Sequence, residues 1–123
     1  LIPGLNDSRG ELKDIARFVA ELGPETPWHV SRFHPSYKMT DRPPTPPETI
    51  AGAVEIGRSA GLRYVYAGNL PGSEAESTFC SKCRALLIER WGFSVRRYEL
   101  VEGSCPRCEE PLDGIGLERF KAA

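Results

Sequence analysis

Four cysteines are the residues of this chain whose type and spacing best suit chemistry. They stand as two Cys-x2-Cys pairs, Cys80-Ser81-Lys82-Cys83 and Cys105-Pro106-Arg107-Cys108, with residues 84–104 between them. A Cys-x2-Cys turn presents two thiolates to one ion, and two such turns complete a tetrahedral all-sulfur site. The 21 residues between the pairs lie at the edge of the usual zinc pattern of about 15 to 20. Zinc is the default ion and iron the alternative, because a rubredoxin-like centre uses the same ligands. Disulfides would need an oxidising compartment, which nothing in the sequence suggests. A thioredoxin-type pair would stand at a strand-to-helix junction, which neither pair does. A closed four-cysteine site has no open coordination position, so its expected role is to fold a small module. Arg84 and Glu109 follow the two turns where glycine is often found, which implies some strain there.

The elements that must present these thiols can be read around them. Residues 85–90 and 93–98 flank Trp91-Gly92 and predict a hairpin between two knuckles, a zinc-ribbon-like β module. Lys82, Arg84, Arg90, Arg96, Arg97 and Arg107 offer a local basic face, but acidic residues balance them and favour a solvated mixed surface. The run 69–74 reads as a linker, which divides the chain into an α/β part, 1–70, and the tail, 71–123.

The first part alternates helical and extended signals. Ser8 stands three residues before Glu11, the spacing of a capping box, and Leu12, Ile15, Ala16, Val19 and Leu22 give one apolar helix face up to Gly23-Pro24. Residues 28–33 predict a strand, with Trp28 in the core and His29 packed within it. A second capping box, Thr45 with Glu48, opens a helix with Pro46 at its first position, and Gly61 stops it. Residues 62–67 predict another strand, with Tyr64 and Tyr66 in the core, and Leu1-Ile2 the end of an earlier one. Strand, helix, strand, helix, strand with long connections implies parallel pairing and right-handed crossovers. Two helices on one side leave the other sheet face bare, so this half reads as the last portion of a barrel or open sheet whose first strands lie upstream.

In such architectures ligands bind at the carboxyl ends of strands. Pro3-Gly4-Leu5-Asn6-Asp7, Arg32-Phe33-His34-Pro35 and Gly68-Asn69-Leu70-Pro71-Gly72 occupy those ends. Their asparagines, glycines and prolines equally suit plain turns. Near-neutral charge, 16 Lys+Arg against 17 Asp+Glu, argues against nucleic acid held by bulk electrostatics. With neither a leader nor a membrane-length apolar run, a cytoplasmic location and no membrane partner are expected.

The run LIPGLNDS, the tract WHVSRFHPSYKMTDRPPTP, then GLRYVYAGNLPG and the paired knuckles together resemble the C-terminal part of the radical SAM enzymes of the AmmeMemoRadiSam system. These are relatives of pyruvate formate-lyase activating enzymes, and the similarity runs over essentially the whole chain. The resemblance implies the C-terminal portion of a partial (βα)6 radical SAM barrel, binding S-adenosylmethionine, whose reductive cleavage beside a [4Fe–4S] cluster yields a 5′-deoxyadenosyl radical. It implies cofactor-proximal roles for His34, in an aromatic–His pair with Phe33, and for Asn6 and Asp7 in the Pro-Gly-x-x-Asp turn. Asn69 joins them from its rim position alone. The family's Cys-x3-Cys-x2-Cys motif is absent here. The catalytic cluster and S-adenosylmethionine are therefore expected only in the complete enzyme, and the chain alone is expected to be inactive. The implied partner is the missing N-terminal barrel portion, from the same gene product or a companion chain, with a protein substrate or partner in addition.

Overall fold

The computed structural model describes residues 1–36, 38, 40–69, 74–92, 94–114 and 117. The chain divides into two compact units, Leu1–Ala75 and Glu76–Ala123. The linker residues 70–73, and with them the expected boundary after residue 70, lie outside the described residues, as do Tyr37, Met39 and Phe93.

In the first unit, α1 (Arg9–Leu22) begins where the Ser8 hydroxyl accepts from the Glu11 backbone N–H at 3.2 Å, the expected cap. Strand β1 (Trp28–Ser31) pairs in parallel with β2 (Val65–Gly68), His29 opposite Tyr66. Between them runs α2 (Pro47–Ser59), with Gly61 just past its end at φ 97°, the left-handed geometry that glycine adopts without steric cost. Leu12 and Ala16 of α1, Ile50, Ala53, Val54 and Ile56 of α2, and Val30, Val65 and Ala67 of the strands share one core. Gly57 sets how closely α2 approaches the sheet, because a Cβ there would stand 2.8 Å from both Trp28 and Val65. Among the described residues the sheet face opposite the helices is uncovered. His29 is exposed and stacks on Tyr66 with ring centroids 5.0 Å apart, rather than packing inside, while Trp28 and Tyr66 are only half-buried and Tyr64 is buried.

Two expectations are corrected. Leu1-Ile2 is not a strand, and the described sheet of this unit has two strands. The Leu1 amine donates to the Ser31 carbonyl at 2.8 Å, but the ladder goes no further, because a side chain occupies the next position. The Thr45 hydroxyl donates to the Leu1 carbonyl and accepts from the Phe33 N–H at 2.7 Å. That hydroxyl therefore does not cap α2, whose N-cap is Pro46 without a side-chain bond, and Pro47 takes the first helical position. Thr45 is fully buried, and its backbone binds the same strand end: its N–H donates to the Phe33 carbonyl, and its carbonyl accepts from Arg32 Nε at 2.7 Å.

The second unit is a three-stranded antiparallel sheet, β3 (Thr78–Phe79), β4 (Leu86–Trp91) and β5 (Ser94–Tyr98), in the order β3-β4-β5. Together the chain is a mixed α/β protein carrying a four-cysteine cluster. Among the described residues no helix is long and apolar enough to cross a membrane.

Thr45→Val keeps the volume of the side chain but leaves the Phe33 N–H and Leu1 carbonyl without their buried partner. A loss of about 1–3 kcal/mol is expected for such a group. Urea unfolding should show it, with Thr45→Ser largely restoring the midpoint. Equal midpoints for the wild type and Thr45→Val would contradict the bridging role.

Candidate metal centre

The two knuckles are built alike. In the first, the Cys80 N–H donates to the Ala85 carbonyl at 2.8 Å and the Arg84 N–H to the Cys80 carbonyl at 3.0 Å. In the second, Cys105 donates to Glu110 and Glu109 to Cys105, both at 2.9 Å. Each closes on a non-glycine residue in the left-handed region, Arg84 at φ 65° and Glu109 at φ 67°. That is the strain the sequence implied, a conformation costing roughly 1–3 kcal/mol that persists only where its surroundings over-determine it. Backbone N–H groups also point at sulfur, from Cys83 to Cys80 Sγ at 3.5 Å and from Arg107 to Cys105 Sγ at 3.4 Å.

β3 and β4 carry the first knuckle between them, and the chain after β5 brings up the second. There Val101 and Ser104 exchange backbone bonds, and Ser104 bridges to Pro111. As a result the four sulfurs lie within 4.8 Å of one another. Cys80 Sγ is 3.4 Å from Cys108 Sγ, and Cys83 Sγ is 3.6 Å from Cys105 Sγ, while all four cysteines are free. Four thiolates around one ion at about 2.3 Å would sit about 3.8 Å apart, so the donor set fits a single tetrahedral metal. These four cysteines are positioned to hold a metal ion.

The thiols respond to this crowding. Burial raises Cys80, but the backbone N–H groups of Cys83 and Lys82, with the neighbouring thiols, bring it down to about 6. At Cys105 burial again raises the thiol, and bonds from the backbones of Cys108 and Arg107 outweigh it, so the net shift is downward. At Cys108 the Glu110 backbone favours the thiolate, yet burial and the other three sulfurs push it up to about 12. Several sulfurs this close cannot all carry negative charge without a cation between them.

Among the described residues, Leu87, Ile88, Tyr98 and Leu100 join Cys80 and Cys105 in an apolar core around the cluster, with Leu112 and Leu117 packed against them. The Tyr98 hydroxyl donates to the Leu117 carbonyl at 2.7 Å. The basic residues singled out in the sequence are dispersed. Arg90 turns inward to Thr78 Oγ1 at 2.6 Å, and Arg97 lies 3.5 Å from a Glu99 carboxylate oxygen. Arg96 lies over the Trp91 ring, 4.5 Å from its centroid, and Lys82, Arg84 and Arg107 are exposed.

The residues expected at a rim lie in the first unit on the N-terminal turn and beyond the ends of β1 and β2. Asn6 and Asp7 fold back on their own turn, Asn6 Oδ1 accepting from the Ile2 N–H at 2.6 Å and Asp7 Oδ1 from the Gly4 N–H at 2.9 Å. Asn69, at φ 57°, donates through Nδ2 to the Arg32 carbonyl at 3.1 Å. That bond ties the end of β2 to the segment carrying His34, whose own side chain is exposed. Arg42 Nη1 lies 3.4 Å from the Pro3 carbonyl and against Gly4, where a Cβ would meet it at 2.6 Å. Arg42, in the proline-rich loop, was not singled out in the sequence, and Thr45 was read there only as a helix cap.

Among known proteins, the chain is 50% identical over 116 residues to uncharacterized protein MJ0808 of Methanocaldococcus jannaschii. The match covers 92% of this chain and 35% of that protein, so the chain spans about a third of the length of the relative. No family profile matches, and no solved structure matches.

Replacing Cys83 with Ser should lower metal affinity by more than the 10- to 100-fold typical of losing a residue that merely supports a ligand. Competition with a chromophoric chelator measures it, and an unchanged affinity would remove Cys83 from the site. Acid should act in the same direction. The Cys108 thiol, raised to about 12, holds its proton at neutral pH and must release it on binding. Affinity should therefore fall about tenfold per pH unit for each proton displaced as pH is lowered. A pH-independent affinity would mean that the thiols are not the ligands.

Proposed function

We propose that the chain is the C-terminal portion of a radical SAM enzyme, similar to pyruvate formate-lyase activating enzymes, with a structural zinc ion in its tail. The observation that supports the first half of this reading is the parallel pair β1 and β2, beyond whose carboxyl ends Asn69 is bonded to the Arg32 carbonyl in the segment that leads to His34, with the Leu1 amine held at Ser31 beside them. Ligands bind at such ends, and the tract resembling the family's late barrel strands supplies these residues. In this reading His34, Asn6, Asp7 and Asn69 belong to the rim facing S-adenosylmethionine, and the sheet is completed as a barrel by the N-terminal portion. The greater length of the relative is consistent with such a portion. When complete, the enzyme's [4Fe–4S] cluster supplies the electron that cleaves S-adenosylmethionine. What this chain's own residues do is shape the rim. The whole would be a cytoplasmic enzyme acting on a protein or small-molecule substrate.

All four cysteines of the chain converge on one cluster, which leaves none for a second metal group. That favours, as the second reading, a metal-folded interaction module with no chemistry of its own. Iron in place of zinc would make it a rubredoxin-like electron-transfer tail, told apart by strong visible absorption.

The deciding experiment is anaerobic reconstitution of the full-length gene product with iron and sulfide, then dithionite and S-adenosylmethionine. The proposal predicts 5′-deoxyadenosine from that product and none from the 123-residue chain. A reconstituted full-length product that forms no 5′-deoxyadenosine would leave the interaction module in its place.

A further inference from the structure

Helices α1 and α2 share a core, and a groove of about 540 Å3 runs between them at the surface. That volume falls within the range of about 300–1,000 Å3 typical of small-molecule sites. One wall of the groove is cationic. Arg9, Lys13 and Arg17 stand four residues apart on α1 and line it together, so they share one helix face over about 12 Å. The other wall is α2, which contributes Glu55, Ser59 and the buried Ile56. Arg9 reaches across to α2, where a Cβ added at Gly52 would stand 3.6 Å from its Nη1.

The charge on the α1 wall is not compensated from within. Among the described residues, Glu55 is the one carboxylate lining the groove, and none of the three cations is ion-paired. Even Glu21, one turn beyond Arg17, makes no ion pair with it. Like charges four residues apart on a helix repel, so a row of three unpaired cations is relieved by an anion bound across it.

We propose that this groove binds a small molecule carrying a diphosphate or triphosphate group. Arginine forks match phosphate oxygens in pairs, and lysine adds a point charge. Linked phosphates carry enough charge to engage all three cations, where a single carboxylate would engage one. The Ser59 hydroxyl can donate to the same group, Ile56 offers an apolar seat for the uncharged part of the ligand, and Glu55 can accept from a hydroxyl there. The groove runs along the helices of the first unit, not beyond its strand ends. It is therefore a site additional to the proposed S-adenosylmethionine rim and independent of it.

The test is calorimetric titration of the zinc-loaded chain with inorganic triphosphate, without magnesium, and in parallel with a poly-aspartate peptide. One triphosphate per chain is expected. Lys13→Gln and Arg17→Gln should each weaken it by roughly tenfold, as for the loss of a charged hydrogen bond. Arg96→Gln removes the same charge from the second unit and should leave the affinity unchanged. Glu55→Gln should strengthen binding, a gain that a misfolded variant would not give. Glutamine is a good helix former, and matching thermal midpoints of the unliganded proteins check that the fold is kept. An absence of saturable binding, or equal weakening by Arg96→Gln, would overturn the proposal. Tighter binding of the peptide than of triphosphate would also overturn it, and would assign the groove to an acidic protein segment.

Discussion

Four sulfurs held within 4.8 Å of one another are the constraint on which the second unit depends. Thiols at that density are coupled: as Cys80 becomes a better thiolate, the charge it gains makes ionisation harder at Cys108. A cation at the centre turns mutual repulsion into attraction and draws all four to one point. Among the described residues, the buried core around the sulfurs is Leu87, Ile88, Tyr98 and Leu100, and a metal at the centre would add to what their burial contributes. Arg84 and Glu109 show the same dependence, since both hold a left-handed backbone without being glycine. Ligation of a metal by the four sulfurs would fix the two turns and offset that cost.

The first unit is organised by a polar contact instead. The Thr45 hydroxyl sits between the Leu1 carbonyl and the Phe33 N–H, and Arg32 reaches back to the Thr45 carbonyl. One buried residue thus joins the N-terminal turn, the end of β1 and the start of α2. The long proline-rich loop is pinned against the strand ends at its far end, and Asn69 fastens β2 to the same segment.

How much of this was legible in the sequence varies with the kind of signal. The knuckles could be read because thiol spacing is a local property, and so could the Ser8 cap, the parallel strands and the hairpin about Gly92. The bare sheet face followed from counting helices against strands. What failed was non-local. Thr45 and Glu48 satisfy a capping pattern, but a hydroxyl binds whatever buried donor and acceptor the tertiary fold offers, and here those lie on Phe33 and Leu1. Leu1-Ile2 has strand composition, yet one backbone bond does not make a ladder. His29 alternates correctly for a strand, but its packing depends on a layer above the sheet that the described residues do not supply. The two-residue β3 was too short to carry any periodicity.

The most direct test of the metal-centred account is native mass spectrometry of the purified chain, joined to amide exchange before and after a strong chelator. One zinc ion per chain is predicted, with exchange across residues 76–112 rising sharply once it is removed. A metal-free chain whose protection in that region is unaffected by chelator would contradict the account, and the four sulfurs would then need another explanation.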